Sequence, residues 1–135
     1  MGPDQQSIIY RVSPCVTNDD LNTLFATAWP NYGPSKFEPV LACSLAYVCA
    51  YNGDQLIGFV NLAWDGGVHA FILDTTVHGA WQRQGIGLAL VKRAVTVARE
   101  RSIEWVHVDF EPHLLPFYRR CGFGHTEAGL LHLDQ

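Results

Sequence analysis

Residues 71–100 read FILDTTVHGAWQRQGIGLALVKRAVTVARE, and the change of character along this stretch decides the fold. The part ending at Val77 is β-branched and apolar, as a strand would be, and a short polar turn leads from it into one long helix-forming run. That helix, expected over residues 85–101, contains Gly85 and Gly87 in its first turn. A helix start leaves about four backbone N–H groups without intrahelical partners and carries roughly half a positive charge, so anions bind there. In Gln82-Arg83-Gln84-Gly85-Ile86-Gly87 the two glycines remove side chains that would hold a phosphate off the amides, and Arg83 adds a cation. The turn reads as a pyrophosphate cradle. The competing reading is that the glycines serve only helix–sheet packing or a tight turn.

Two other phosphate cradles fail against this turn. The dinucleotide fingerprint needs a third glycine where Leu90 stands and expects its loop in the first β-α unit. The P-loop needs G-x-x-x-x-G-K-[ST], which is absent. The pattern Q/R-x-x-G-x-G/A does fit, and it resembles motif A of the GCN5-related N-acetyltransferases, the acetyl-CoA-dependent GNAT family. Phe117-Tyr118-Arg119-Arg120-Cys121-Gly122-Phe123 is similar to the F/L-Y-x-x-x-G-F segment that closes motif B. The resemblance is strong over residues 56–123 and weak before them.

The resemblance implies one GNAT domain over residues 1–135. Its fold class would be α/β (α+β), a mixed, mainly antiparallel sheet of about six or seven strands flanked by about four helices. It implies direct transfer of an acetyl group from acetyl-CoA, as cosubstrate, to a primary amine. Gln82, Arg83, Gln84, Gly85, Ile86, Gly87 and Leu88 would hold the coenzyme pyrophosphate, and the Val77 backbone the pantetheine amide. Tyr118 matches the tyrosine whose hydroxyl approaches the thiol sulfur, so it would act as general acid or thiolate stabiliser. Asp74 stands where some relatives carry an acidic residue and would be the base, with His78, His113 or a water chain as alternatives. Trp29 and Tyr32, in a connection that commonly lines the acceptor pocket, would bind substrate, or else pin that loop to the core. Two departures are visible: Gly79 occupies a position often held by proline, and Glu111 one often held by asparagine.

Composition sets the bounds. A chain of 135 residues, 48% of them apolar, suits one globular domain with its own core. No apolar run is long enough to span a bilayer, residues 1–7 lack the basic and apolar regions of a signal peptide, and Gly2 lacks a myristoylation context because Gln6 replaces Ser or Thr. A cytoplasmic protein without a membrane partner is expected. Cys15, Cys43, Cys49 and Cys121 show no C-x-x-C spacing and read as reduced thiols in packed positions. The net charge of −4 is uneven: residues 1–75 hold seven acids against Arg11 and Lys36, and residues 76–135 hold seven bases against six acids. A polyanionic cofactor on the second half and a cationic acceptor near the first would suit that split. No dense basic stripe with interleaved aromatics points to nucleic acid.

Along the chain, residues 8–16 suit a strand stopping near Pro14, and Thr17-Asn18-Asp19-Asp20 can cap a helix carrying Leu21, Leu24, Phe25 and Ala28 at helical spacing. Residues 29–34, WPNYGP, break it, and a second helix is expected over residues 36–45. Strands follow over residues 46–51 and 55–64, joined by a turn at Asn52-Gly53-Asp54, and then over 68–77. The long helix should bury Leu88, Val91, Val95 and Ala98. Residues 104–110 would return as a strand parallel to the central one, residues 113–121 as a short helix closed by Gly122, and residues 123–135 as a final hairpin.

Other chemistries find little support. His107 and Asp109 alternate along one strand and so share a face, but no spacing supplies a third metal ligand, so no metal is expected. No G-x-S-x-G elbow exists. The acceptor is expected to be a small-molecule amine such as an antibiotic, polyamine or amino-acid derivative. A protein amine, or a non-catalytic acyl-CoA-binding module, is the alternative. Homodimers are common among proteins with the resembling motifs.

Overall fold

The computed structural model describes residues 7–134. The leader and acylation readings of residues 1–6, and residue 135, lie outside the described residues.

Strand β1 (Ile8–Val12) ends before Pro14, which cannot donate to a ladder. Helix α1 (Asn18–Ala28) starts where predicted: the Thr17 hydroxyl accepts from the Asp20 amide at 3.0 Å, and Asp19 and Asp20 favour the positive end of the dipole. The second helix is shorter than expected. Pro39 in its first turn and the start of β2 at Ser44 confine α2 to Glu38–Ala42.

β2 (Ser44–Asn52), β3 (Gln55–Trp64) and β4 (His69–Val77) form an antiparallel meander. In the first turn Asn52 pairs with Gln55, so the two-residue loop is Gly53-Asp54 and Asn52 belongs to the strand. The long helix α3 (Ile86–Glu100) then crosses over to β5 (Trp105–His107), which runs parallel to β4. A short helix α4 (Leu115–Arg120) follows a 3-10 turn at Pro112–Leu114. Among the described residues the sheet order is β1-β2-β3-β4-β5, five strands against the six or seven expected. The predicted final hairpin is absent: residues 123–134 form no strand, and Leu130, Leu131 and Leu133 are exposed.

Two cores lie on opposite faces of the sheet. Leu21, Leu24, Phe25, Phe37 and Phe59 pack under α1 and α2, and Val48, Val60, Leu62 and Ile72 pack under α3. The stripe that α3 buries is Ile86, Leu90, Val91, Ala94, Val97 and Ala98; Leu88 and Val95 are only half-buried. The difference is a rotation of the helix set by its contact with β3, where Gly58 lets the Leu90 side chain come against the strand backbone. All four cysteines are free, but only Cys49 is buried and Cys121 half-buried; Cys15 and Cys43 are exposed rather than packed.

Candidate active site

The site is built around the end of β4. Phe59 pairs with Thr76 and Asn61 with Leu73, so β4 carries one residue more than β3 between those pairs. The surplus is a β-bulge at Asp74, whose φ of 59° is left-handed, a strained conformation for a non-glycine residue. Strict alternation would place residues 73 and 75 on one face. The bulge places Leu73 and Thr76 there instead.

The β4–β5 pairing is short. His69, Phe71 and the residue between them face Trp105, His107 and Val106, after which β5 ends. β4 continues through residues 72–77 without a neighbour on that side, so the strands part and leave a wedge between them. The expected strand 104–110 stops early because Phe110 turns away to stack on Tyr118, with ring centroids 4.6 Å apart and planes 21° apart. Tyr118, on α4, is buried, and Phe117 and Phe123 meet it edge-on. Burial pushes the Tyr118 hydroxyl above the usual phenol range, opposed by the neighbouring Thr75 hydroxyl. It therefore keeps its proton at neutral pH. Thr75 Oγ1 is buried beside it and has no hydrogen bond of good geometry.

The turn before α3 is pinned on both sides. Trp81 is buried in the α3 core, and the Gly79 amide donates to Thr27 Oγ1 at 2.9 Å. That bond explains the missing proline, which has no N–H to give. His78 caps this turn by accepting from the Ala80 amide through Nδ1. Gly85 caps α3 in the left-handed conformation, φ 85°, and the first intrahelical bond runs from the Ala89 amide to its carbonyl. The amides of the first helical turn therefore have no intrahelical partner.

A Cβ at Gly85 would meet nothing within 4 Å, and one at Gly87 would meet only ordinary contacts, Phe117 at 3.5 Å and Val77 at 3.7 Å. Crowding by protein atoms thus requires neither glycine. Gly85 is required by its backbone, and Gly87 leaves open the wall of the wedge that it shares with Val77 and Phe117. The donors fit a diphosphate: helix-start amides without intrahelical partners, two of them on glycines, with the exposed Arg83 beside them.

The other predicted residues of this motif divide differently. The Gln82 side chain donates to the Val77 carbonyl at 3.0 Å, so it braces the strand end, and that carbonyl is occupied. Ile86 is buried in the core and offers only its backbone; Gln84 and Leu88 are half-buried.

On the opposite face, Asp74 joins Phe25, Trp29, Tyr32, Ser35, Lys36, Phe37 and Val40 around an open pocket of about 450 Å³. That volume is in the range of small-ligand sites. Surrounding protein atoms desolvate the Asp74 carboxyl and raise its pKa, although much of the residue is open to solvent. Trp29 Nε1 donates to Thr76 Oγ1 at 3.1 Å, and the Tyr32 hydroxyl to Asn22 Oδ1. Both aromatics therefore tie the loop down and line the pocket, and each has its side-chain polar atom already bonded. Phe25, Thr27, Thr75, Thr76 and Trp81 were missing from the sequence-derived site, because their roles arise from α1 and α4 docking on β4.

Two expectations lie outside this cluster. Glu111 is exposed, and its carboxylate lies 3.6 Å from the ring of the exposed His113. His107 meets His69 at 2.7 Å between ring nitrogens and stacks on Phe71. Among the described residues no group of three or more His, Cys, Asp or Glu side chains gathers as a metal site. Nor, among the described residues, is any helix long and apolar enough to cross a membrane.

Comparison with known proteins gives a consistent picture. The model of the acetyltransferase (GNAT) family matches residues 18–123. A chloroplastic GCN5-related N-acetyltransferase of Arabidopsis thaliana is 28% identical over 126 residues, covering 91% of this chain and 64% of that protein. The histone acetyltransferase TAP1 of Glycine max is 26% identical, covering 93% and 59%. The chain thus spans less than two thirds of the length of these relatives. Among solved structures, a candidate acetyltransferase of Deinococcus radiodurans R1 superposes with a TM-score of 0.83 at 28% identity, covering 98% of this chain and 94% of the other. A soil-metagenome aminoglycoside acetyltransferase bound to sisomicin shares the fold, at TM-score 0.68 and 18% identity, covering 97% of each.

Proposed function

Because the chain belongs to the acetyltransferase (GNAT) family, we propose that residues 1–135 form one acetyl-CoA-dependent N-acetyltransferase domain that acetylates a small-molecule primary amine directly, without a covalent enzyme intermediate. The observation that carries this reading is the wedge between β4 and β5, with the bare helix start at Gly85 and Gly87 on one side and the Asp74 pocket on the other.

Acetyl-CoA, when bound, supplies an activated acetyl thioester. Residues 83–88 hold its diphosphate through backbone amides and Arg83, with Gln82 setting the turn from behind. Asp74 attracts the ammonium of the acceptor and takes its proton, which its raised pKa makes easier near neutrality. Tyr118, neutral and buried, presents a hydroxyl proton toward the wedge for the departing thiolate. Aromatic walls at Trp29 and Tyr32 hold the apolar body of the acceptor and strengthen its attraction for a cation, by about 0.5–2 kcal/mol over an indole face.

Thiol release, assayed with acetyl-CoA against a panel of amines, tests this. Saturable transfer to small amines is expected. Uptake of acetyl-CoA with no transfer to any amine would leave a binding module. A protein-amine acceptor is the second reading, favoured by the likeness to a histone acetyltransferase; acetylation of histone peptides in preference to every small amine would establish it.

A further inference from the structure

Of the eight residues around the acceptor pocket, two are charged, Lys36 and Asp74. Neither is used by the fold. Among the described residues the Lys36 ammonium makes no ion pair or hydrogen bond, and the hydrogen bond at Asp74 is made by its backbone carbonyl, not its carboxylate. The two are not paired with each other. Apart from the Ser35 hydroxyl, the remaining wall is apolar or has its polar atom already bonded: Phe25 and Phe37 pack against one another, Tyr32 is bonded to Asn22, and Trp29 to Thr76.

The backbone around Lys36 is held on both sides. Asn22 bonds both the amide and the carbonyl of Ser35, and the Phe37 amide donates to Asn18 Oδ1 at 2.8 Å. A fixed backbone thus presents a flexible cation at a rim whose opposite charge is a carboxylate. The ligand complementary to both has a cation and an anion separated by an apolar body.

Granted the amine-acceptor reading above, we infer that the preferred acceptor is a zwitterionic amino acid. Its amine lies at Asp74, its carboxylate at Lys36, and an apolar or aromatic spacer against Trp29 and Tyr32. Lys36 is then the specificity-determining residue. A diamine brings its second ammonium toward a like charge, and a neutral amine leaves Lys36 without a partner.

Three acceptors of one shape test this: para-aminomethylbenzoate, its carboxamide, and para-xylylenediamine. For each, kcat/KM is read by thiol release, and Kd by calorimetry without acetyl-CoA. The wild-type protein should prefer the benzoate over the amide by about tenfold and disfavour the diamine. Lys36→Met should bring the benzoate-to-amide ratio to within about twofold, and Lys36→Glu should invert the order of benzoate and diamine. Equal use of benzoate and amide by the wild type, or a preference that survives Lys36→Met, overturns the inference while leaving amine acetylation intact. If no amine is acetylated, the transfer reading fails by itself, and the calorimetric order still decides: tighter benzoate binding that depends on Lys36 upholds the inference, and no binding of any of the three overturns it.

Discussion

Gly79 lies so close to Thr27 that a Cβ on the glycine would come within 2.5 Å of the threonine carbonyl oxygen. Backbone meets backbone there, and the same pair is joined by the bond from the Gly79 amide to Thr27 Oγ1. The end of α1, which carries Trp29, is thereby locked to the turn that leads into α3. The pocket wall at Trp29 and the turn into α3 share one anchor.

Gly79→Ala should therefore destabilise the protein by about 1–3 kcal/mol, the usual cost of overpacking a tight contact. Thermal unfolding should show a Tm lower by several degrees. An unchanged Tm would mean that the turn relaxes freely and locks nothing.

Gly87→Ala should separate stability from binding. Gly87 has room for a Cβ among protein atoms, so unfolding should change little, whereas a methyl group on the wall of the wedge should weaken acetyl-CoA by about tenfold, on the order of 1.4 kcal/mol. Calorimetry with equal affinity for both proteins would remove the cradle from this turn.

Tyr118→Phe keeps the stack on Phe110 and removes the hydroxyl. A general acid typically contributes about 10²- to 10⁴-fold in rate. A kcat lower by well over tenfold, at nearly unchanged acetyl-CoA affinity, is expected. Full activity would reduce Tyr118 to a packing residue.

Asp74 should be visible in two pH profiles. Desolvation raises its folded-state pKa, so the acidic limb of kcat/KM should lie above the range of an exposed carboxylate, and Asp74→Asn should abolish that limb along with most of the rate. The native state also holds this proton more tightly than the unfolded chain. The residue thus removes stability as pH rises from the ordinary carboxylate value through the raised one. Asp74→Asn should consequently be more stable than wild type at neutral pH and equal to it in acid, as read from denaturant midpoints.

Cysteine chemistry offers a check on the cores. Burial pushes the Cys49 thiol up to about 12, and the side chain is fully covered, whereas Cys15 and Cys43 are exposed. Brief alkylation near pH 8, read by mass spectrometry of peptides, should label Cys15 and Cys43 and spare Cys49 until the protein is unfolded.

Much of this protein was legible in its residues alone, because the signals were local. Thr17 before two aspartates specifies a helix start; Pro14 and the WPNYGP run at residues 29–34 stop elements; the paired glycines at 85 and 87 mark where the long helix begins. Each depends on neighbours a few positions away. What the tertiary structure decided depends on distant partners. The bulge at Asp74 arises where β4 must pair with β3 on one edge and release β5 on the other, and it reverses which residues face α1. The rotation of α3 follows from its contact at Gly58, the early end of β5 from Phe110 turning to Tyr118, and the role of Gln82 from the nearness of the Val77 carbonyl. Period and propensity record how a segment packs on average, whereas the side chain that meets a given atom is fixed only when the elements dock.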